Sequence, residues 1–166
     1  KGDRINLKNE LAKIENFSKT KKKIDTNDIL KLTNLAENYN INDLVDNSLS
    51  KNKKKTLNIL NENNFGQEDI VLILRVYLSK LKRLTKLHAK IKEVKSIDTA
   101  IASFKPPIFW KEKENVKKQI NNLNYKDVQG LINDTNKIEL MVKKNPGLAI
   151  NIFTNFILEQ TLGTNS

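Results

Sequence analysis

Apolar residues recur every three or four positions along most of the chain, the spacing that places them on one face of an α-helix. The third of the short apolar stripes predicts a helix that starts after Ile41, with Asn42 as its N-cap. A fourth helix is predicted over 51–63 and ends before Phe65-Gly66. The apolar positions of the first four predicted helices are Leu7, Leu11, Ile14 and Phe17; Ile29 and Leu32; Leu44, Val45 and Leu49; and Leu57, Ile59 and Leu60.

The longest predicted helix covers about 67–94 and should be central to a helical bundle. Its apolar stripe consists of Ile70, Leu74, Tyr77, Leu78, Leu81, Leu84, Leu87, His88 and Ile91. The side predicted to face solvent carries Lys80, Lys82, Arg83, Lys86, Lys90 and Lys92.

The segment after the sixth predicted helix combines a helix break with large apolar residues. Lys105-Pro106-Pro107 must be extended, because proline disfavours the α region for the residue before it. Ile108, Phe109 and Trp110 follow directly, and their apolar character predicts that they anchor the next helix, over 111–122, in the core. Base stacking by Trp110 is the alternative interpretation.

Two further helices complete the prediction. Asn124 is the expected N-cap of the eighth, and Asn145-Pro146 should open the ninth, because proline suits the first helical position. Their predicted core residues are Val128, Leu131, Ile132, Ile138 and Met141 or Val142, followed by Leu148, Ile152, Phe156 and Ile157. No alternating pattern of useful length predicts a strand, so the expected fold class is all-α.

The charge balance bears on possible partners. Over 166 residues the formal net charge is +11, which favours polyanions, but AT-rich codon bias would also enrich lysine and asparagine. The best candidates for phosphate contacts are two lysine clusters, Lys21, Lys22 and Lys23, and Lys53, Lys54 and Lys55. Their alternative interpretation is a solvated loop and a solvated first helical turn.

Catalytic motifs are missing from the sequence. No glycine fits a phosphate-binding loop, and the single histidine, His88, has no partner at metal-ligand spacing. Glu112 and Glu114 are two positions apart and would not share a helix face. The chain has no cysteine and no apolar run long enough for a membrane span. We therefore expect a non-catalytic cytoplasmic protein without cofactor or metal.

Several segments resemble a known family. The N-terminal GDRINLKNELAKIENFS, with Gly2, Asp3, Arg4, Asn9, Glu10, Leu11 and Lys13, is similar to the lid of the bacterial DNA polymerase III delta subunit. The segments NINDLVDNSLSKNKKKTLNILNENNFG, FKPPIFWKEKENVKKQ and TNKIELMVKKN resemble later parts of that family, in the same order. Glu139 and Lys143 or Lys144 belong to the last of these.

The resemblance implies a fold and a function. It implies the end of an AAA+ lid at 1–38, followed by a collar helical bundle at 39–166 that packs with other clamp-loader subunits. In the family, an N-terminal AAA+ domain preceding the lid carries the contact with the sliding clamp, so no clamp-binding residue can be transferred to this chain. DNA is a further candidate partner. The function implied is clamp-loader assembly and sliding-clamp loading during DNA replication.

Two other classes of function stay open. A stand-alone basic helical protein could bind nucleic acid directly, which would give strong, steeply salt-dependent affinity for primed DNA. A structural helical adaptor would bind only protein.

Overall fold

The computed structural model describes residues 11–12, 14–19, 23–26, 28, 35–63 and 65–163. Every regular element within these ranges is helical and none is a strand, which confirms the all-α prediction. The chain divides into two compact units, residues 1–41 and residues 42–166.

In the first unit, residues 11–12 and 14–19 are helical, and Asp25 and Asp28 form a capped turn. The Asp28 backbone N–H donates to Asp25 Oδ1 at 2.8 Å, and the Asp25 N–H donates to Asp28 Oδ2 at 3.2 Å. This reciprocal pair is the pattern of a helix N-cap. Leu11, predicted to be buried, is exposed. The predictions for Leu7, Ile29 and Leu32 fall outside the described residues.

Helix α1 (Leu35–Leu49) corrects one boundary. The predicted start at Asn42 is wrong, because the helix already runs through the polar segment 37–40. Asparagine lowers helix propensity by less than about 1 kcal/mol, so its presence does not prevent a helix from continuing. Farther along α1, Leu44, Val45 and Leu49 are all buried.

Helix α2 (Lys53–Glu62) follows a tight connection. Lys51 has a left-handed backbone conformation at φ 56°, and the Asn52 side chain then caps α2 by accepting from the Lys55 N–H at 3.3 Å. Thr56 is the buried residue of this helix, whereas Leu57, predicted to be buried, is exposed.

Helix α3 (Gln67–Val94) is long and carries the main apolar stripe. Gly66 precedes it, and its N–H donates to Asp69 Oδ2 at 2.8 Å. The helix ends at Lys95, whose left-handed conformation at φ 54° stops further helical hydrogen bonding. The stripe is buried as predicted at Ile70, Leu74, Tyr77, Leu78, Leu81, Leu84 and Leu87.

The chain continues as α4 (Ile97–Ala102), α5 (Lys113–Asn122), α6 (Tyr125–Lys144) and α7 (Ala149–Leu162). Asn124 caps α6 as predicted, and Ser96 caps α4, because each side chain accepts a hydrogen bond from the first turn. Pro146 opens a 3₁₀ turn, Pro146–Leu148, that leads into α7. A second 3₁₀ turn, Trp110–Glu112, leads into α5.

In the second unit, α3 packs against α4, α5, α6 and α7, so it is central to the bundle as predicted. Helix α7 also contacts α2 and α6. Tyr77 and Phe156 meet edge to face with their ring centroids 5.7 Å apart. The core of this unit beyond α3 consists of Leu44, Val45, Leu49, Ala100, Ile101, Ile108, Val116, Ile120, Leu123, Val128, Leu131, Val142, Ala149, Phe153, Phe156 and Ile157.

Candidate functional site: an exposed aromatic pair beside a basic cleft

The connection between α4 and α5 forms one wall of a cleft. The opposite wall is the polar side of α3, with Ser79, Lys82, Arg83 and Lys86, and the loop contributes residues 104–108. The volume is about 360 Å³. We call this feature the Arg83 cleft. Lys105 adds a fourth basic residue to its lining.

The Arg83 guanidinium has a hydrogen-bond partner among the described residues at one of its three nitrogens. Its Nη1 donates to Glu112 Oε2 at 2.7 Å, which ties α3 to the 3₁₀ turn before α5. Its Nε and Nη2 are shielded from solvent and have no hydrogen-bond partner within the described part of the chain. A buried donor without an acceptor costs about 1–3 kcal/mol, more when it is charged. The free edge of the guanidinium is therefore a place where an acceptor would be stabilised.

The structure corrects part of the predicted core anchor. Ile108 is buried as predicted, but Phe109 is 55% exposed and Trp110 is 68% exposed. Phe109 has extended backbone angles, φ −59° and ψ 138°, and neighbouring side chains of extended backbone point to opposite sides. Trp110 precedes Lys113 and Glu114 by three and four positions, the spacing of residues that share a helix face. Lys113 and Glu114 are exposed at the start of α5. Apolar side chains at these two positions consequently face outwards.

The two aromatic rings lie close together on the surface. Their centroids are 5.8 Å apart with an interplanar angle of 49°. The Lys111 ammonium lies 5.3 Å from the Trp110 ring centroid, within the range of a cation–π contact. We call Phe109 and Trp110 the aromatic pair.

A buried ion pair lies elsewhere in the second unit. Lys80 Nζ is 2.7 Å from Asp46 Oδ2, and Gln119 Nε2 donates to Asp46 Oδ1 at 3.0 Å. The sequence predicts Lys80 on the solvent side of α3, and its burial corrects that prediction. Burial is the main cause that raises the pKa of Asp43, and repulsion from the nearby Asp46 raises it further. The cluster joins α1, α3 and α5 and is structural.

A hydroxyl cluster lies near the centre of the bundle. Tyr77 hydrogen-bonds to the Ser48 side chain, and Thr161 Oγ1 lies 3.0 Å from Ser48 Oγ. Burial raises the pKa of Tyr77 to about 12. The Lys51 ammonium reaches the Gln160 carbonyl, and burial lowers the pKa of Lys51. These contacts fasten the connection between α1 and α2 to α7.

Of the lysines predicted to contact phosphate, those on α2 do not line this cleft. Lys53, Lys54 and Lys55 are exposed on the first turn of α2, away from the cleft lining. Lys23 is exposed in the first unit. Lys21 and Lys22 lie outside the described residues.

His88 packs against neighbouring residues of the bundle. Its Nε2 is 2.8 Å from the Leu123 carbonyl oxygen, and its ring meets the Tyr125 ring edge to face at 6.5 Å. Among the described residues, His, Asp and Glu side chains form no group of three or more that could hold a metal ion. No described helix is both long and apolar enough to cross a membrane.

A second exposed region lies where α6 meets α7. Leu140, Met141, Leu148 and Ile150 are all largely exposed, and we call them the α6–α7 corner. Of the two alternatives for the inward position of α6, Val142 is buried and Met141 is not. The predicted burial of Leu148 is wrong, because Ala149 takes the inward position at the start of α7. Ile150 also lines a cavity of about 270 Å³ that it shares with Leu60, Phe65 and Phe153, and with the polar Asn63 and Thr154.

Comparison with known proteins adds no assignment, since no family model, curated protein or solved structure matches the chain.

Proposed function

We propose that the chain is a non-catalytic assembly module of the bacterial clamp loader, equivalent to the end of the lid and the collar of a DNA polymerase III delta subunit. The resemblance of the four sequence segments suggests this function. In this proposal the second unit packs against neighbouring clamp-loader subunits, and the full-length protein helps load the sliding clamp during DNA replication.

The α6–α7 corner is the observation that carries the proposal. Four large apolar side chains are exposed within a short stretch, and one of them, Ile150, also lines a cavity with Leu60, Phe65 and Phe153. Concentrated exposed apolar surface is typical of protein interfaces. The bundle already has a buried core of its own, so these side chains are free to contact another subunit. A structural adaptor would use the same surface with other protein partners.

Co-purification with the clamp-loader subunits of the source organism tests the proposal. Ile150→Asp should abolish or strongly weaken the complex, because it introduces a charge into the proposed apolar interface. Asn151→Asp is the matched control, since it adds the same charge at the next exposed position of α7 and should leave the complex intact. An unchanged complex with Ile150→Asp would exclude this corner as the interface.

A further inference from the structure

We propose that the Arg83 cleft and the aromatic pair together form a binding site for single-stranded nucleic acid. The cleft would take a backbone phosphate, and Phe109 and Trp110 would stack against unpaired bases. This site differs from the lysine clusters that the sequence suggests, and it does not depend on the α6–α7 corner.

The charge of the cleft supports an anionic ligand. Lys82, Arg83, Lys86 and Lys105 all line it. Glu112 is the carboxylate beside Arg83, and it is paired with Arg83 Nη1 at 2.7 Å. Because its charge is already paired, Glu112 does not neutralise the three lysines. Concentrated positive charge in a concave site with apolar walls attracts phosphate and releases counterions when phosphate binds.

Arg83 supplies directional recognition. Nε and Nη2 form one edge of the guanidinium, and this is the edge that lacks partners among the described residues. Two parallel N–H donors match two oxygens of a phosphate, which is why arginine recognises phosphates in bidentate fashion. This edge is shielded from solvent in the free protein. Arg83 forms part of the cleft wall, so a shift of its side chain towards the cleft would bring the edge to the phosphate.

The aromatic pair supplies the second half of the site. Trp110 is two residues from Ile108, which lines the cleft, and two residues from Glu112, which binds Arg83. Its Cα atom is therefore within about 7.6 Å of the Cα atom of each. A strand whose phosphate occupies the cleft would place its neighbouring bases near the two exposed rings. Base–aromatic stacking contributes to such binding without requiring a particular sequence.

A protein partner could also cover the aromatic pair, but the surrounding charge favours nucleic acid. Lys111 lies over the Trp110 ring, and the adjoining cleft has four basic residues. The cores of protein–protein interfaces are depleted in lysine, whereas sites for single strands combine lysine and arginine with exposed aromatic rings.

Trp110 gives the experiment its signal, because it is the chain's one tryptophan. The full chain should be titrated with oligothymidylate while Trp110 emission is recorded. We expect quenching that saturates, with an affinity that falls with salt at a logarithmic slope of about −0.7 for each phosphate contact. A duplex of equal length and inorganic polyphosphate should bind more weakly and quench little, since neither offers unpaired bases.

Variants assign the binding to this site, with affinity read from the anisotropy of a labelled oligonucleotide. Trp110→Ala should weaken binding by roughly 5- to 150-fold, the range for loss of one stacked base. The double variant Lys86→Gln/Lys105→Gln should weaken binding and flatten the salt slope by up to about 0.7, the value for the one phosphate that the cleft would hold. Lys53→Gln/Lys54→Gln removes the same charge from α2 and should leave both values close to those of the original chain.

All four lysines are exposed, so their substitution should leave the fold intact, and circular dichroism checks each variant. Absence of quenching at saturating oligonucleotide, or equal binding of polyphosphate, would overturn the proposal. So would equal losses from the α2 pair and the cleft pair, which would indicate non-specific attraction by net charge. These measurements use the chain without clamp-loader subunits, so their failure is separate from failure of the proposed assembly.

Discussion

Lys80 Nζ lies 2.7 Å from Asp46 Oδ2 inside the bundle, and the two side chains keep only 10% and 9% of their exposure. Gln119, which is fully buried, binds the other carboxylate oxygen at 3.0 Å. A charge shielded to this degree must be paired, because transfer out of water costs several kcal/mol for each ion. The pair therefore requires α1 and α3 to pack in this one arrangement.

Lys80→Met should lower the free energy of unfolding by about 3–5 kcal/mol, since it leaves the Asp46 carboxylate buried without its cation. Urea denaturation measures the loss. Adding Asp46→Asn to Lys80→Met should restore part of the stability, because the remaining amide is neutral and can still accept from Gln119. Lys82→Met is the control, as Lys82 is exposed two positions away, and it should change stability by less than about 0.5 kcal/mol. A double variant less stable than Lys80→Met would contradict this explanation.

Ile108→Ala should lower the free energy of unfolding more than Trp110→Ala does, although tryptophan is the larger residue. Ile108 is buried, so its truncation should cost about 2–5 kcal/mol. Trp110 is mostly exposed, and Trp110→Ala should cost less than about 1 kcal/mol. Thermal unfolding of both variants, followed by circular dichroism, makes the comparison. A loss above about 3 kcal/mol for Trp110→Ala would mean that Trp110 is packed in the core.

Stability should depend on Tyr77 at alkaline pH. Burial raises the pKa of Tyr77 from 10.0 to about 12, so the folded state keeps a proton that the unfolded state loses. This contribution is fully present below pH 10 and is lost as pH rises through about 12. Over that window the free energy of unfolding should fall by up to about 2.7 kcal/mol more in the original chain than in Tyr77→Phe. Equal slopes for the original chain and Tyr77→Phe would refute the burial effect.

Residues 35–166 should fold without the preceding segment. They retain all of α1 and the core of the second unit, whereas a cut at residue 38 would remove the start of that helix. We expect a single cooperative melting transition by circular dichroism. A gradual loss of helix without a transition would show that residues 1–34 contribute to the same core.

Much of the fold follows from helical periodicity. The stripe of α3 is readable because buried apolar residues recur along the helix, and side-chain caps such as Asn124 mark helix starts. The burial of Lys80 has a sequence signal too, since it is three positions after Tyr77 and four before Leu84, the spacing of the buried stripe. The partner of Lys80, however, lies on another helix and is not visible locally.

The aromatic pair shows where sequence reasoning ends. Large apolar side chains favour burial, but the extended backbone at Phe109 and the 3₁₀ turn at Trp110 decide which way they face. Arg83 and Glu112 are far apart in sequence and meet only after α3 and α5 have packed together. The basic cleft therefore depends on tertiary structure, whereas Lys53, Lys54 and Lys55 are visible as a cluster in the sequence and do not line it.

Native mass spectrometry of the full chain mixed with the clamp-loader subunits of its source organism tests the proposed function most directly. The proposal predicts a complex whose mass includes one copy of this chain, and Ile150→Asp should remove that copy while Asn151→Asp keeps it. Detection of the chain only as a free species, under conditions in which the other subunits assemble, would contradict a role in clamp-loader assembly.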